Sequence, residues 1–221
     1  FLLILVLLFA FYLRYYHIDY PVVGYHNWKE THYLTESRNF ARDGFFERGF
    51  FVPSFDYLDL NGNPDGAHSD SFPTLPIITA VFFKMFGESL LLARLINVLF
   101  TVGGILFLFL FVKELTKKFD LAIFSAIVLT INPLYVFFGR NFQLDNIALF
   151  FMLACFYFYI KWVREDKTKQ LILTALSFSL TILTSYSFFI MLFPMLAIFP
   201  WNRFKLFKQR IKSYVISILI L

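Results

Sequence analysis

The chain is 221 residues long, 59% hydrophobic, 22% aromatic and only 16% charged, with a net charge of +5. Soluble globular domains average about 45–50% apolar and about 25% charged residues, so the composition excludes an ordinary soluble domain. The apolar residues fall into long runs, and Phe alone contributes 33 residues that bring no polar atom into lipid. The sequence therefore predicts an all-α integral membrane protein, a multi-span helical bundle.

The first apolar run covers residues 1–13, which is short of the roughly 20 residues that cross a bilayer core. It lacks the basic flank and the small-residue cleavage site of a signal peptide. We interpret it as the latter part of a first span, and we expect a chain truncated at both ends because residues 211–221 are again largely apolar. The polar stretch Arg14–Thr74 follows and holds nine of the 15 acidic residues, and we expect it to be the first extracytoplasmic loop.

The start of this loop predicts an amphipathic juxtamembrane helix. Asn27 followed three residues later by Glu30 resembles a capping box, which favours a helix over Trp28–Asp43. Trp28 and Tyr33 are suited to hold such a helix along the membrane surface, because their rings have an apolar body and a polar edge.

The rest of the chain alternates polar connections with apolar runs. Phe50–Gly66 predicts a turn, and Leu75–Phe86 predicts a second short juxtamembrane helix. Leu171–Pro200 is too long for one span, and a polar break at Thr184–Ser187 predicts two short segments. The runs that are long enough, or nearly long enough, to span are Ser89–Val112, Leu121–Phe138 and Ile147–Ile160.

Lysines and arginines predict the orientation. They cluster in the connections at residues 113–118, 161–169 and 203–212, which fall on one side if the spans alternate. The positive-inside rule makes that side cytoplasmic, so the Arg14–Thr74 loop and the break at Thr184–Ser187 are expected on the extracytoplasmic face. We interpret the basic clusters as topology signals and contacts for anionic membrane lipids, and nucleic acid is not a predicted partner.

No charged residue lies in the middle of a predicted span, which weighs against an ion pump or a coupled transporter. Instead, several stretches resemble a known family in their order along the chain. These stretches are Gly24–Phe40 with His26-Asn27-Trp28-Lys29-Glu30, Ser71-Phe72-Pro73 through Phe86-Gly87 to Arg94-Leu95, Asn132-Pro133-Leu134 through Arg140 to Asp145, and the break at Thr184–Ser187. Together they resemble the type C glycosyltransferase superfamily, in its dolichyl-phosphate-mannose-protein mannosyltransferase-like branch, and residues 1–221 look like the N-terminal part of that transmembrane domain.

The resemblance implies transfer of a sugar from a polyprenyl-phosphate carrier to a lipid, glycan or protein acceptor. It implies an integral protein of a prokaryotic plasma membrane, with the active site on the extracytoplasmic face. The family commonly places Asp-Glu at the start of the first-loop helix, whereas this chain has Lys29 at the Asp position and keeps only Glu30. This departure leaves the acceptor type open, and it leaves open whether a divalent metal ion takes part.

Such a transfer needs a base for the acceptor and positive charge or a metal for the departing phosphate. Glu30 and Asp145 are the predicted catalytic residues, and we expect them to face one cavity. The simpler alternatives are that Glu30 is a capping-box carboxylate and that Asp145 caps a span. The predicted substrate-binding residues are Lys29, His26, Arg38, Arg94 and Arg140.

Two other functions remain open from the sequence. A flippase or transporter for a lipid-linked sugar would have pseudo-symmetric halves and broken helices at the bilayer midplane, and the chain shows no internal repeat. A non-catalytic membrane scaffold would not need carboxylates and basic residues at one surface.

Overall fold

The computed structural model describes residues 1–23, 27–45 and 71–201. Within them the chain forms α-helices and one 3-10 helix, without strands, which confirms the all-α prediction. The predicted turn at Phe50–Gly66 lies outside the described residues. The helices are α1 (Leu2–Tyr15), α2 (Asn27–Asp43), α3 (Thr74–Phe86), α4 (Leu90–Thr116), α5 (Phe119–Ile131), α6 (Pro133–Arg140), α7 (Leu144–Glu165), α8 (Thr168–Thr184), the 3-10 helix (Tyr186–Met191) and α9 (Leu192–Ile198).

Helices α4 and α7 form the centre of the bundle and are long and apolar enough to cross a membrane. They run in the same direction, because Arg164 near the end of α7 donates to the Leu115 carbonyl near the end of α4 at 3.0 Å. Their close approach depends on Gly103, where a Cβ would lie 2.7 Å from the Phe150 ring of α7. The next residue, Gly104, makes room for α6, because a Cβ there would lie 2.7 Å from the Tyr135 hydroxyl. Small residues are the usual device for close helix packing in membranes.

The predicted continuous run Leu121–Phe138 is divided in the structure. Helices α5 and α6 meet at Asn132 with a bend of 62°, and they would count as one further span only if taken together. The Asn132 side chain accepts a hydrogen bond from the Tyr135 amide at 3.0 Å, and Pro133 occupies the first position of α6. Proline lacks an N–H and disfavours helical backbone in the residue before it, so the break is local in origin.

Both short helices predicted around the first loop are present. Helix α2 begins one residue before the predicted Trp28, and α3 begins one residue before the predicted Leu75. They pack against each other through Phe40 and Ala80, which are fully buried. The packed face of α2 is unusual because it also carries buried polar residues, including His32 and Glu36.

The predicted break at Thr184–Ser187 is confirmed, since α8 ends at Thr184 and the chain continues as a 3-10 helix. The break is tied to the start of α3. The Phe72 amide donates to the Leu183 carbonyl at 3.0 Å, and the hydroxyls of Thr74 and Thr184 lie 2.8 Å apart. The beginnings of α2, α3 and α7 and the end of α8 therefore meet in one region.

Candidate functional site

The strongest polar contact in this region is a buried ion pair between Glu30 of α2 and Arg94 of α4. Arg94 Nε donates to Glu30 Oε1 at 2.7 Å, and Arg94 Nη2 donates to Glu30 Oε2 at 2.9 Å. Both side chains are only 4% exposed. This bidentate geometry fits the planar fork of a guanidinium, which lysine cannot reproduce.

The same pair holds two connections in place. Arg94 Nη1 donates to the backbone carbonyls of Ile18, at 2.7 Å, and Tyr20, which follow α1. The Phe142 amide, between α6 and α7, donates to Glu30 Oε1 at 3.1 Å. The Glu30 carboxylate is thus occupied by three donors, and it does not close the predicted capping box with Asn27. Because these donors already occupy both oxygens of the carboxylate, the contacts suit a positioning role better than proton transfer.

A second, looser ion pair joins the first turns of α2 and α7. Lys29 Nζ lies 3.8 Å from Asp145 Oδ2, and the two side chains are 31% and 57% exposed. A lysine opposes the dipole at the start of a helix, so Asp145 supplies the compensating charge for Lys29. Asp145 itself is favourably placed in the first turn of α7, where Gln143 is the cap residue. Both charges of this pair remain accessible to a ligand.

Two cavities meet at this pair. Each is lined by both Lys29 and Asp145, and they differ in their remaining walls. The apolar cavity, of about 340 Å³, is further lined by Leu129, Asn132, Leu134, Tyr135, Phe138, Gln143, Asn146, Leu149 and Phe188. The polar cavity, of about 170 Å³, is further lined by Trp28, His32, Tyr33, Ser71, Leu144, Thr184, Ser185, Tyr186 and Ser187.

A buried asparagine pair, which the sequence reasoning missed, supports the start of α7. Asn97 of α4 donates to the carbonyls of Gly139, at 3.0 Å, and Asn141, at 2.8 Å. Asn146 of α7 donates to the carbonyl of Phe138 at 2.7 Å. These amides bond to carbonyls at the end of α6, where the backbone leaves carbonyls without helical partners, and they add to the Asn141 amide that already donates to the Phe138 carbonyl at 3.2 Å. The available signal was an asparagine inside the apolar run of α4, where an uncharged polar side chain needs a partner.

The other predicted site residues do not all join the Lys29–Asp145 pair. Glu30, Arg94 and Arg140 line a third cavity, so the two predicted catalytic carboxylates line different cavities. The two cavities are adjacent at α2, because Glu30 lines one, Lys29 lines the other, and these two residues are consecutive. Arg38 is exposed on α2 and lines none of these three cavities. His26 lies outside the described residues.

The described residues contain no group of three His, Cys, Asp or Glu side chains placed to hold a metal ion. His32 lines the polar cavity together with Asp145, and its Nε2 lies 3.3 Å from Glu36 Oε1 in a buried pair. Participation of a divalent metal ion, which the sequence left open, is not part of the function proposed for these residues.

An apolar helical bundle with accessible charges where a polar and an apolar cavity meet is the arrangement of a membrane-embedded protein. Comparison with protein families matches residues 68–221 to the dolichyl-phosphate-mannose-protein mannosyltransferases. The chain belongs to this family and is thus of the membrane glycosyltransferase class. The match contains Arg94, Arg140 and Asp145 and begins after Lys29 and Glu30. Neither a curated protein nor a solved structure matches the chain.

Proposed function

We propose that the chain transfers a sugar from a polyprenyl-phosphate carrier to an acceptor, with Lys29 and Asp145 at the reaction centre. The observation that carries this proposal is their 3.8 Å contact at the junction of an apolar and a polar cavity. A lipid-linked sugar matches this arrangement, because its apolar chain, its phosphate and its polar sugar follow one another in that order. The ion pair lies where the phosphate and the anomeric carbon would be.

The apolar cavity suits the first isoprene units of the carrier. Leu134, Leu149 and Phe188 provide apolar walls next to Lys29, which is placed to receive the phosphate. Gln143 adds a donor, because its buried Nε2 has no hydrogen-bond partner among the described residues and its side chain lines the same cavity. A buried donor without a partner costs free energy, which a phosphate oxygen at that position would recover.

The polar cavity suits the sugar or the acceptor. Asp145 accepts the proton of the acceptor hydroxyl, the acceptor oxygen forms a bond to the anomeric carbon, and the bond from that carbon to the phosphate oxygen breaks. Lys29 stabilises the charge on the departing phosphate. Binding of the phosphate by Lys29 also separates the resting ion pair and frees Asp145 to act as the base. Glu30 and Arg94 hold the backbone on both sides of this centre.

The proposal places the reaction on the extracytoplasmic face. Helices α4 and α7 run in the same direction, so the basic clusters at residues 113–118 and 161–169 lie at one end of the bundle and the Lys29–Asp145 pair at the other. The positive-inside rule assigns the basic end to the cytoplasm.

Replacement of the proposed base tests this function. In the full-length protein, Asp145→Asn keeps the size and polarity of the side chain but cannot accept the proton. We expect transfer from radiolabelled polyprenyl-phosphate sugars to fall about 10²–10⁴-fold. Asp120→Asn is a matched control, since Asp120 is an exposed acid in the first turn of α5. Retention of activity within a few fold of the wild type by a folded Asp145→Asn variant would reject Asp145 as the base.

A further inference from the structure

The third cavity has a charge that the proposed transfer reaction does not use. Its volume is about 350 Å³, and its lining includes His17, Tyr20, Asn27, Arg94, Arg140 and Asn141. Glu30 also lines it, and both oxygens of this carboxylate accept hydrogen bonds from Arg94. The pair is therefore neutral as a whole, and the charge of the cavity depends on the remaining residues.

Arg140 gives this cavity a net positive charge. No carboxylate forms an ion pair with Arg140 in the parts of the chain that the structure describes. Its Nη1 donates to the Tyr16 carbonyl at 3.4 Å, at the outer limit for a hydrogen bond, and its buried Nε has no partner among the described residues. A partly buried guanidinium in this state lacks the counter-charge that such groups normally have.

The other walls add neutral donors beside this cation. Asn27 and Asn141 each carry an amide NH₂ group, and His17 contributes an imidazole. His17 has a left-handed backbone with φ of 56°, and its ring lies edge-on to Tyr16 at 4.1 Å between centroids. A compact anion with several acceptor oxygens fits this donor set.

Exposed aromatic residues identify the source of the anion. Tyr20 and Phe137 line the cavity and are 60% and 37% exposed, and the neighbouring Tyr16 is 56% exposed. The two tyrosines are amphipathic, and such side chains lie at the level of lipid headgroups, while Phe137 adds apolar surface beside them. A free phosphate ion would gain nothing from them, whereas a lipid would contact them with its glycerol and upper acyl chain.

We infer that this third cavity binds the phosphate of an anionic membrane phospholipid, as an accessory lipid site separate from the Lys29–Asp145 centre. Arg140 supplies the charge, and the amides of Asn27 and Asn141 supply further donors. The inference does not depend on the proposed sugar transfer, because it concerns a different cavity and a lipid that is not consumed.

The test is lipid retention by the purified full-length protein, measured by native mass spectrometry while phosphatidylglycerol is titrated. We expect one phosphatidylglycerol to be retained in preference to phosphatidylcholine, and Arg140→Gln to weaken this retention about tenfold or more, the value of a charged hydrogen bond. Arg42→Gln is the matched control, because it removes an exposed arginine that pairs with its neighbour Asp43. Arg140→Lys, which keeps the charge without the fork, should weaken retention less.

A second arm distinguishes the lipid from a free anion. Inorganic phosphate at the same concentration should not displace phosphatidylglycerol, and its doing so would overturn the assignment to a lipid. Equal retention by wild type and by Arg140→Gln, with both eluting as folded monodisperse protein, would overturn the site itself. If Arg140→Gln fails to fold, the same comparison with Asn27→Ala decides, because it removes another donor of the cavity at the exposed start of α2. Unchanged retention and selectivity in that variant would count against the site.

Discussion

Lys29 and Glu30 are adjacent in sequence and have different surroundings, because successive side chains on a helix point about 100° apart. Glu30 turns inward to Arg94 and the Phe142 amide, whereas Lys29 turns to the accessible Asp145. Burial and hydrogen bonds fix the Glu30 carboxylate, whereas the Asp145 carboxylate is accessible. Our proposal of a stabilising role for Glu30 and a chemical role for Asp145 rests on this difference.

This division predicts the effect of Glu30→Gln. The amide would leave the Arg94 charge buried without its partner, and breaking one side of a buried ion pair typically costs about 3–5 kcal/mol. We expect a lower melting temperature in detergent and a loss of transfer in proportion to the loss of folded protein. Glu88→Gln serves as the control, since Glu88 is exposed just before α4. A folded Glu30→Gln variant with normal melting and no transfer would instead identify Glu30 as the base.

Gly139 illustrates a tight steric requirement at the end of α6. A Cβ at this position would lie 2.8 Å from Arg14 Nε and 2.8 Å from Thr101 Cγ2, and both of those residues are fully buried. Neither neighbour has room to move, so Gly139→Ala should destabilise the protein by about 1–3 kcal/mol, as overpacking does. Thermal unfolding of the purified variant measures this, and an unchanged melting temperature would show that α6 shifts without cost.

At the scale of elements, the connection between α6 and α7 depends on side chains from other helices. Asn97 of α4 bonds to the Gly139 and Asn141 carbonyls, and the Phe142 amide bonds to Glu30 of α2. This short connection ends at Gln143, immediately before the helix that carries Asp145. The position of the proposed base is therefore set by residues about 50 to 110 places earlier in the chain.

Asn97→Leu tests this dependence. Leucine has a similar volume but removes the side-chain donor of the Asn141 carbonyl and leaves the Gly139 carbonyl with only the Thr101 hydroxyl, at 3.4 Å. An unsatisfied buried group costs about 1–3 kcal/mol. We expect lower stability and, in the molecules that remain folded, slower transfer, because the start of α7 loses its fixed position. Leu99→Ala changes the exposed face of the same helix and is the control for general sensitivity of α4. Full activity per folded molecule in Asn97→Leu would show that α7 is held by other contacts.

Local sequence signals predicted most of the elements. The start of α2 and the break after Thr184 were both found because each depends on polar residues next to apolar runs. The division of α5 from α6 was missed, although Pro133 marks it, because the run of apolar residues continues on both sides. The Glu30–Arg94 pair joins residues 64 apart, and such a pairing follows from helix packing and not from local pattern. For the same reason, the sequence placed Glu30 and Asp145 in one cavity, whereas the structure gives them different cavities.

At the scale of the whole molecule, the parallel course of α4 and α7 makes the orientation testable. Cys155 is the single cysteine of the sequence and is fully buried, so introduced cysteines can be labelled without removing it. With a membrane-impermeant reagent applied outside intact cells, Asp19→Cys should react and Lys167→Cys should not. Both positions are exposed and belong to opposite ends of the bundle, so each controls for the other. The reverse pattern would invert the proposed orientation.

The hydrogen bond between Thr74 and Thr184 has a consequence for the order in which the protein forms during synthesis. It joins residues 110 apart, which takes roughly 5–22 s to synthesise at about 5–20 residues per second. During that interval α4 and α7 can already insert and pair, while the start of α3 has to satisfy its polar groups with interfacial water. The polar cavity needs Ser71 from one side and Ser185 from the other. Of the regions described, the polar cavity is among the last to be completed. A chain that ended before α8 would contain the paired helices α4 and α7 but not this cavity.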